Sequence, residues 1–150
     1  MHIALETPDQ PEVIALIAEL DAYQDSLYPA ESRYALDLAS LKQDNVRFAV
    51  ARDDAGAAMG CGAAVLYDEY AELKRMFVRA RYRGQGVAQQ VLALLEEAVR
   101  RAGRASCKLE TGPYQGEALR FYAQAGYIVC GRFGDYRDDP LSVFMEKRLA

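Results

Sequence analysis

The sequence predicts an α+β fold: a mixed, mostly antiparallel sheet flanked by helices, in a single domain over residues 1–150. Two observations carry this. Strand-like and helix-like stretches follow one another in the order β-α-α-β-β-β-α-β-α-β-β, with runs of consecutive strands suited to hairpins. Two strand–helix–strand crossovers interrupt those runs, so part of the sheet is expected to be parallel. A chain of 150 residues is also long enough for one real hydrophobic core.

"HIALET" reads as a short strand. Thr7 offers an N-cap, Pro8 suits a first helical position, and Gln10 completes a capping-box spacing. Val13, Ile14, Leu16, Ile17 and Leu20 then recur at helical intervals, which predicts an amphipathic helix over residues 8–23. Pro29 punctuates "YQDSLYPAES", and "SRYALDLAS" reads as a second short helix. "NVRFAVA", the turn "RDDAG" and "AMGCGAAVLY" form a hairpin, and "YAELKRMFV" is a further strand. Val87, Val91, Leu94, Leu95 and Ala98 repeat at helical spacing, with Gly103 as a C-terminal stop. "ASCKLET" is a strand and "GEALRFYAQAG" a helix ended by Gly126. "YIVCGRF" and "LSVFMEKRL" close the chain as strands joined by the loop "GDYRDDP".

Composition narrows the function. No apolar run approaches the ~18 residues that a membrane span needs, and "MHIALETPDQ" lacks the pattern of a signal peptide. Cys61, Cys107 and Cys130 form neither a CxxC pair nor a disulfide framework, which suits a reducing, cytoplasmic setting. A single histidine, His2, argues against a zinc site, so no metal is expected. A net charge of −4 disfavours general nucleic-acid binding, and no span binds a membrane.

One stretch stands against that acidity. "RARYRGQGVAQ" (79–89) places three mutually repelling arginines beside two glycines, then enters a helix-like run. From residue 74 to 83 the chain carries Lys74, Arg75, Arg79, Arg81 and Arg83 and no acidic residue. A helix N-terminus exposes unsatisfied N–H groups and a partial positive charge, and glycines let the preceding backbone curl around an anion. The pattern reads as a pyrophosphate cradle. A P-loop would need GxxxxGK[ST], and a dinucleotide fingerprint would need glycine where Gln89 stands.

"RYRGQG", Arg81 to Gly86, resembles the R/Q-x-x-G-x-G/A signature of the GNAT superfamily of acetyl-coenzyme A-dependent N-acetyltransferases. "YAELKRMFV" is similar to the family's fourth strand, and "GEALRFYAQAGY" to its late helix and turn. The resemblance covers most of the chain and is weakest in the N-terminal third. It implies the acyl-CoA N-acyltransferase fold, acetyl-CoA as cosubstrate, and transfer of an acetyl group to a primary amine of a small molecule or protein by direct attack. A non-catalytic acyl-CoA-binding sensor of the same fold is the alternative. Dimers are common among relatives, so a homodimer is possible, although no stretch specifies an interface.

By the same resemblance, main-chain N–H groups from Arg83 through Gly84, Gln85, Gly86 and Val87 to Ala88 hold the pyrophosphate, with Arg81 adding charge. The pantetheine arm pairs with the backbone around Met76, Phe77 and Val78, and an N–H near Met76 meets the thioester oxygen as it gains charge. Glu72 resembles the family's base; four strand residues span ~13 Å, so its proton path to the reacting centre would need water. An ion pair with Lys74 explains Glu72 equally well. Tyr122 resembles the tyrosine that protonates the departing thiolate. Gln115 stands where many relatives carry an asparagine that bonds the coenzyme arm. For the acceptor, Tyr28 and Glu31 on one loop and Asp135 and Tyr136 on another are candidate walls that favour a cationic amine. These loops also fit a reading as solvated acidic surface, and Arg33 and Arg137 fit recognition of a carboxylate.

Overall fold

The computed structural model describes residues 1–32 and 37–149. Its elements are β1 (His2–Leu5), α1 (Pro11–Asp25), α2 (Leu38–Leu41), β2 (Val46–Arg52), β3 (Ala58–Leu66), β4 (Tyr70–Val78), α3 (Val87–Arg101), β5 (Ser106–Thr111), α4 (Gly116–Gln124), β6 (Ile128–Cys130) and β7 (Val143–Arg148). The strands form one seven-stranded sheet ordered β1-β2-β3-β4-β5-β7-β6, antiparallel throughout except for β4 beside β5. That is the α+β, mostly antiparallel architecture expected from the sequence.

Two local expectations shift. The first helix starts at Pro11, because Thr7 caps a tighter turn instead. Its hydroxyl accepts from the Asp9 N–H at 3.2 Å, and the Gln10 N–H donates to the Pro8 carbonyl at 2.9 Å. The second short helix is reduced to Leu38–Leu41, capped by Asp37 accepting from the Ser40 N–H at 2.8 Å; residues 33–36 of the anticipated span lie outside the described residues. The second crossover also lands one strand further out than its neighbour, since β7 is inserted between β5 and β6.

Helices cover both faces. On one, Val87, Val91, Leu95 and Val99 of α3 are buried against Ala64, Leu73 and Leu109 of the sheet. On the other, Val13 and Leu16 of α1 and Leu41 of α2 pack on Phe48, Val50 and Cys61. Each such aliphatic side chain contributes on the order of 1.5–3 kcal/mol by leaving water. β3, buried at all nine positions, allows close approach because Gly62 has no side chain; a Cβ there would overlap Met76 Sδ and stand 3.0 Å from both Val91 and Leu95. The α3 layer also holds a buried charge. Glu96, 6% exposed, accepts from Tyr127 Oη at 2.7 Å and from Lys147 Nζ at 3.1 Å. Tyr127 in turn sets its ring edge-on to Tyr122, centroids 5.6 Å apart.

Two features of β4 create the site. Its pairing with β5 runs from Tyr70 opposite Ser106 to Leu73 opposite Leu109 and then stops, so the strands part beyond that point. In the same segment its register with β3 slips by one residue, and Arg75 takes a left-handed φ of 60°. This is a β-bulge with Arg75 as the extra residue.

Candidate active site

The split between β4 and β5 opens into two cavities that share Leu20 and Gln115. The larger, about 720 Å³, runs along Met76, Phe77 and Val78 to the start of α3 and back beneath α4. The smaller, about 80 Å³, lies under α1 among polar side chains of β4, β5 and two loops.

The larger cleft is floored by backbone. Gly84 and Gly86 adopt left-handed φ values of 77° and 81°, and Gly86 precedes α3 with no side chain capping that helix end. A Cβ on Gly84 would meet nothing within 4 Å, and one on Gly86 only Gln89 Oε1 at 3.8 Å. These glycines therefore serve φ and an open approach to the N–H groups rather than packing. Such a cradle fits the diphosphate of a coenzyme A. Gly84, Gly86, Val87, Ala88 and Arg83 line the cleft.

The rest of the cationic run is turned elsewhere. Arg81 folds back on Tyr82, its Cζ 4.8 Å from the ring, and Tyr82 bonds Asp53 at 3.0 Å. Arg79 pairs with Glu19 at 2.6 Å, and Gln85 reaches the Arg81 carbonyl at 3.4 Å. Neither Arg81 nor Gln85 is among the described residues lining either cavity. Arg83 Nε donates to the Val78 carbonyl at 3.2 Å, an exposed bond that a strand-like ligand would compete with.

Tyr122 projects from α4 into this cleft while 7% exposed, held edge-on by Phe121 and Tyr127. Burial raises its hydroxyl above the ordinary tyrosine range, so the proton stays on. Gln115, which faces both cavities, accepts from Thr111 Oγ1 and the Gly112 N–H at 3.3 Å.

Glu72 sits deeper. It is 4% exposed, accepts a short hydrogen bond from Tyr136 Oη, and lies 3.4 Å from Lys74 Nζ, which donates to the same Tyr136 hydroxyl at 2.8 Å. It lines neither cavity. The carboxylate that does reach the smaller pocket is Glu110, near the end of β5 just past the last β4–β5 pair. Burial lifts its pKa to about 7, against the Ser142 hydrogen bond at 2.8 Å and nearby Lys74, which pull it down. Sequence reasoning missed Glu110. The signal was the alternation in "SCKLET", which puts Ser106, Lys108 and Glu110 on the face opposite buried Cys107, Leu109 and Thr111.

Of the anticipated acceptor walls, Tyr28 and Tyr136 line the pocket; Glu31 and Asp135 do not. The Glu31 carbonyl accepts from Arg137 Nη2 at 2.8 Å, while Asp135 is exposed on its loop. Arg33 lies outside the described residues. Tyr28 stacks on Tyr114 at 5.4 Å, accepts from its N–H at 3.1 Å, and overlies Gly112, where a Cβ would overlap the phenol. Among the described residues no group of three or more His, Cys, Asp or Glu is placed to hold a metal, and no helix is long and apolar enough to cross a membrane.

Comparison with known proteins matches this geometry. A family model for the acetyltransferase (GNAT) family covers residues 13–127. The chain is 46% identical over 149 residues to a protein named IAA acetyltransferase from Azospirillum brasilense, covering 98% of this chain and 97% of that one. A solved structure from Klebsiella pneumoniae, described as a candidate acyl-CoA N-acyltransferase, superposes with a TM-score of 0.88 at 39% identity, covering 99% and 97% of the two chains. An aminoglycoside 6'-N-acetyltransferase solved with coenzyme A shares the fold at a TM-score of 0.76 and 17% identity, covering 100% and 98%. With a glycine cradle, a parted β4–β5 pair and this kinship, the chain belongs to the GNAT acetyltransferase family.

Proposed function

We propose that the protein is an N-acetyltransferase that moves the acetyl group of acetyl-CoA onto a primary amine. The observation that carries this is the meeting of the two cavities along Leu20 and Gln115. A backbone cradle and a buried phenol open on one side, and a carboxylate with a pKa of about 7 on the other. The cosubstrate would supply the activated acyl carbon, held through its diphosphate by N–H groups at Gly84, Gly86, Val87 and Ala88 and along the unpaired edge of β4 at Met76, Phe77 and Val78.

An alkyl ammonium with a pKa of ~10 must lose its proton before it can attack. Glu110, close to half ionised near neutrality and in the acceptor pocket itself, takes that proton before attack and passes it to solvent, then takes the nitrogen's second proton once the N–C bond has formed. Tyr122 gives its proton to the sulfur as the C–S bond breaks, and regains one from solvent. An N–H on the β5-facing edge of β4 stabilises the oxygen that gains charge. Glu72 acts from behind, fixing Lys74 and Tyr136. Glu110, and not Glu72, is the base in this reading because Glu110 lines the pocket.

The test is thiol release from acetyl-CoA across a panel of amines, with IAA, the compound in the Azospirillum relative's name, assayed beside them as a separate acceptor. Turnover with at least one acceptor, lowered roughly 100-fold by Glu110→Gln and slowed by Tyr122→Phe, supports the reading. Calorimetric binding of coenzyme A without turnover of anything would favour a sensor. If Glu72→Gln removed the pH dependence of turnover while Glu110→Gln left it intact, the base would be Glu72.

A further inference from the structure

In an ordinary strand, consecutive side chains point to opposite faces. Lys74 and Arg75 break that rule. Both line the small pocket under α1, because the bulge inserts Arg75 as an extra residue with φ 60°. Without it the alternation would run unbroken: Lys74 under α1, Met76 toward α3, Phe77 back against Cys61. A left-handed conformation costs a non-glycine residue roughly 1–2 kcal/mol, and such strain gathers where function demands it. Here it places a second cation beside the first.

Both cations are fixed from behind. Arg75, its side chain 7% exposed, pairs with Asp21 of α1 at 2.6 Å. Lys74, 13% exposed, is held by Glu72 and Tyr136. Glu110 lines the same pocket from the neighbouring strand β5. The cavity is therefore polarised, positive along β4 and negative on β5. A simple amine uses only one of these walls. A ligand with an ammonium group and an anionic group a few atoms apart uses both, and about 80 Å³ suits a compact head group of that kind.

We propose that the acceptor is an amino-acid-like zwitterion, its carboxylate held by Arg75 and Lys74 while its amine faces Glu110. This rests on the acetyl transfer proposed above and adds the chemical class of acceptor. Arg75 is a specificity residue in this view. The transferred atoms are unchanged: the ammonium nitrogen gains the acetyl group and loses two protons, the sulfur gains one, and the other passes to solvent.

Matched acceptor sets test it: an α-amino acid, its methyl ester, and the amine left when the carboxylate is removed, repeated over several side chains with acetyl-CoA. The amino acid is expected to exceed both partners by roughly tenfold or more in kcat/KM, about 1.4 kcal/mol in binding terms. Arg75→Gly keeps the left-handed backbone but removes the guanidinium. It should collapse that preference while leaving coenzyme A affinity unchanged by calorimetry; Arg75→Lys should restore part of it. Should Arg75→Gly fail to fold, Lys74→Gln carries the same test. Equal rates across each set, a preference that survives both substitutions, or turnover confined to lysine side chains of peptides would overturn the zwitterion while leaving acetyl transfer intact. Coenzyme binding with no turnover of any amine would overturn both.

Discussion

The large cleft and the small pocket meet at Leu20 and Gln115 yet are made of different material. The cleft offers main-chain groups at its cradle, namely two left-handed glycines, an uncapped helix start and a strand edge that has lost its partner, beside a wall of apolar and aromatic side chains such as Phe121 and Tyr122. The pocket is chiefly side chain: phenols, two cations and a carboxylate gathered from α1, β4, β5 and two loops. A backbone site recognises what every family member shares, since peptide N–H groups are independent of sequence. A side-chain site can change with each acceptor. The two should therefore fail differently when altered.

The sharpest break is expected at Gly86. Gly86→Asp adds a Cβ at φ 81° and a carboxylate where the proposed diphosphate would sit, and should weaken coenzyme A binding by roughly 100-fold or more, about 2.7 kcal/mol. Calorimetry on folded protein checks this, and unchanged affinity would remove the cradle.

Glu110→Gln should do the reverse, leaving coenzyme affinity intact while lowering kcat/KM by roughly 100-fold near neutrality. The pH profile adds a sign. Glu110 must be ionised to accept a proton, so wild-type kcat/KM should rise as pH passes upward through about 7, and the variant should lose that inflection. The groups facing Glu110 are Lys74 and Glu72 from β4, Tyr136, Asp139 and Ser142 from the loop before β7, and Tyr28. Stability should run the other way. Between pH 4.5 and about 7 the folded chain holds this proton more tightly than the unfolded chain, so ionisation there costs stability as pH rises. Glu110→Gln should then raise Tm at pH 8 more than at pH 5. Equal shifts at both would argue that Glu110 is solvated.

The smallest effect is expected at Gly112, in the wall of the small pocket beside Tyr28. Gly112→Ala must push Tyr28 off its seat. Acceptor KM should rise about tenfold and coenzyme affinity hold within about twofold. A matching loss in both would mean that the cavities are less separate than the geometry indicates.

The same contrast explains what the sequence could say. "RYRGQG" is contiguous, and its glycines have a local reason to exist, so the cradle and the strand–helix junction were legible. So were β4 to the residue and the element order. The pocket was not, because its members lie as far apart as Tyr28, Lys74, Glu110 and Tyr136, and only tertiary packing joins them. Arg75 read as one more charge in a basic run; a one-residue bulge leaves no trace in periodicity that short. Five clustered charges suggested a shared duty, yet Arg79 and Arg81 are spent on Glu19 and Tyr82. Glu72 drew notice by its place on β4, but burial under Tyr136 is a contact across sixty-odd residues.

Tyr122 has a hidden dependence on the far end of the chain. Its ring abuts Tyr127, whose hydroxyl is tied to Glu96, whose charge is balanced by Lys147 on β7. Removing that lysine would strand an anion in an apolar layer, at a cost on the order of 3 kcal/mol. Relief of that charge could shift the rings that steady the phenol. A screen for dead enzyme would then flag position 147 alongside 122, and sorting scaffold from chemistry would require measuring fold and turnover on the same samples.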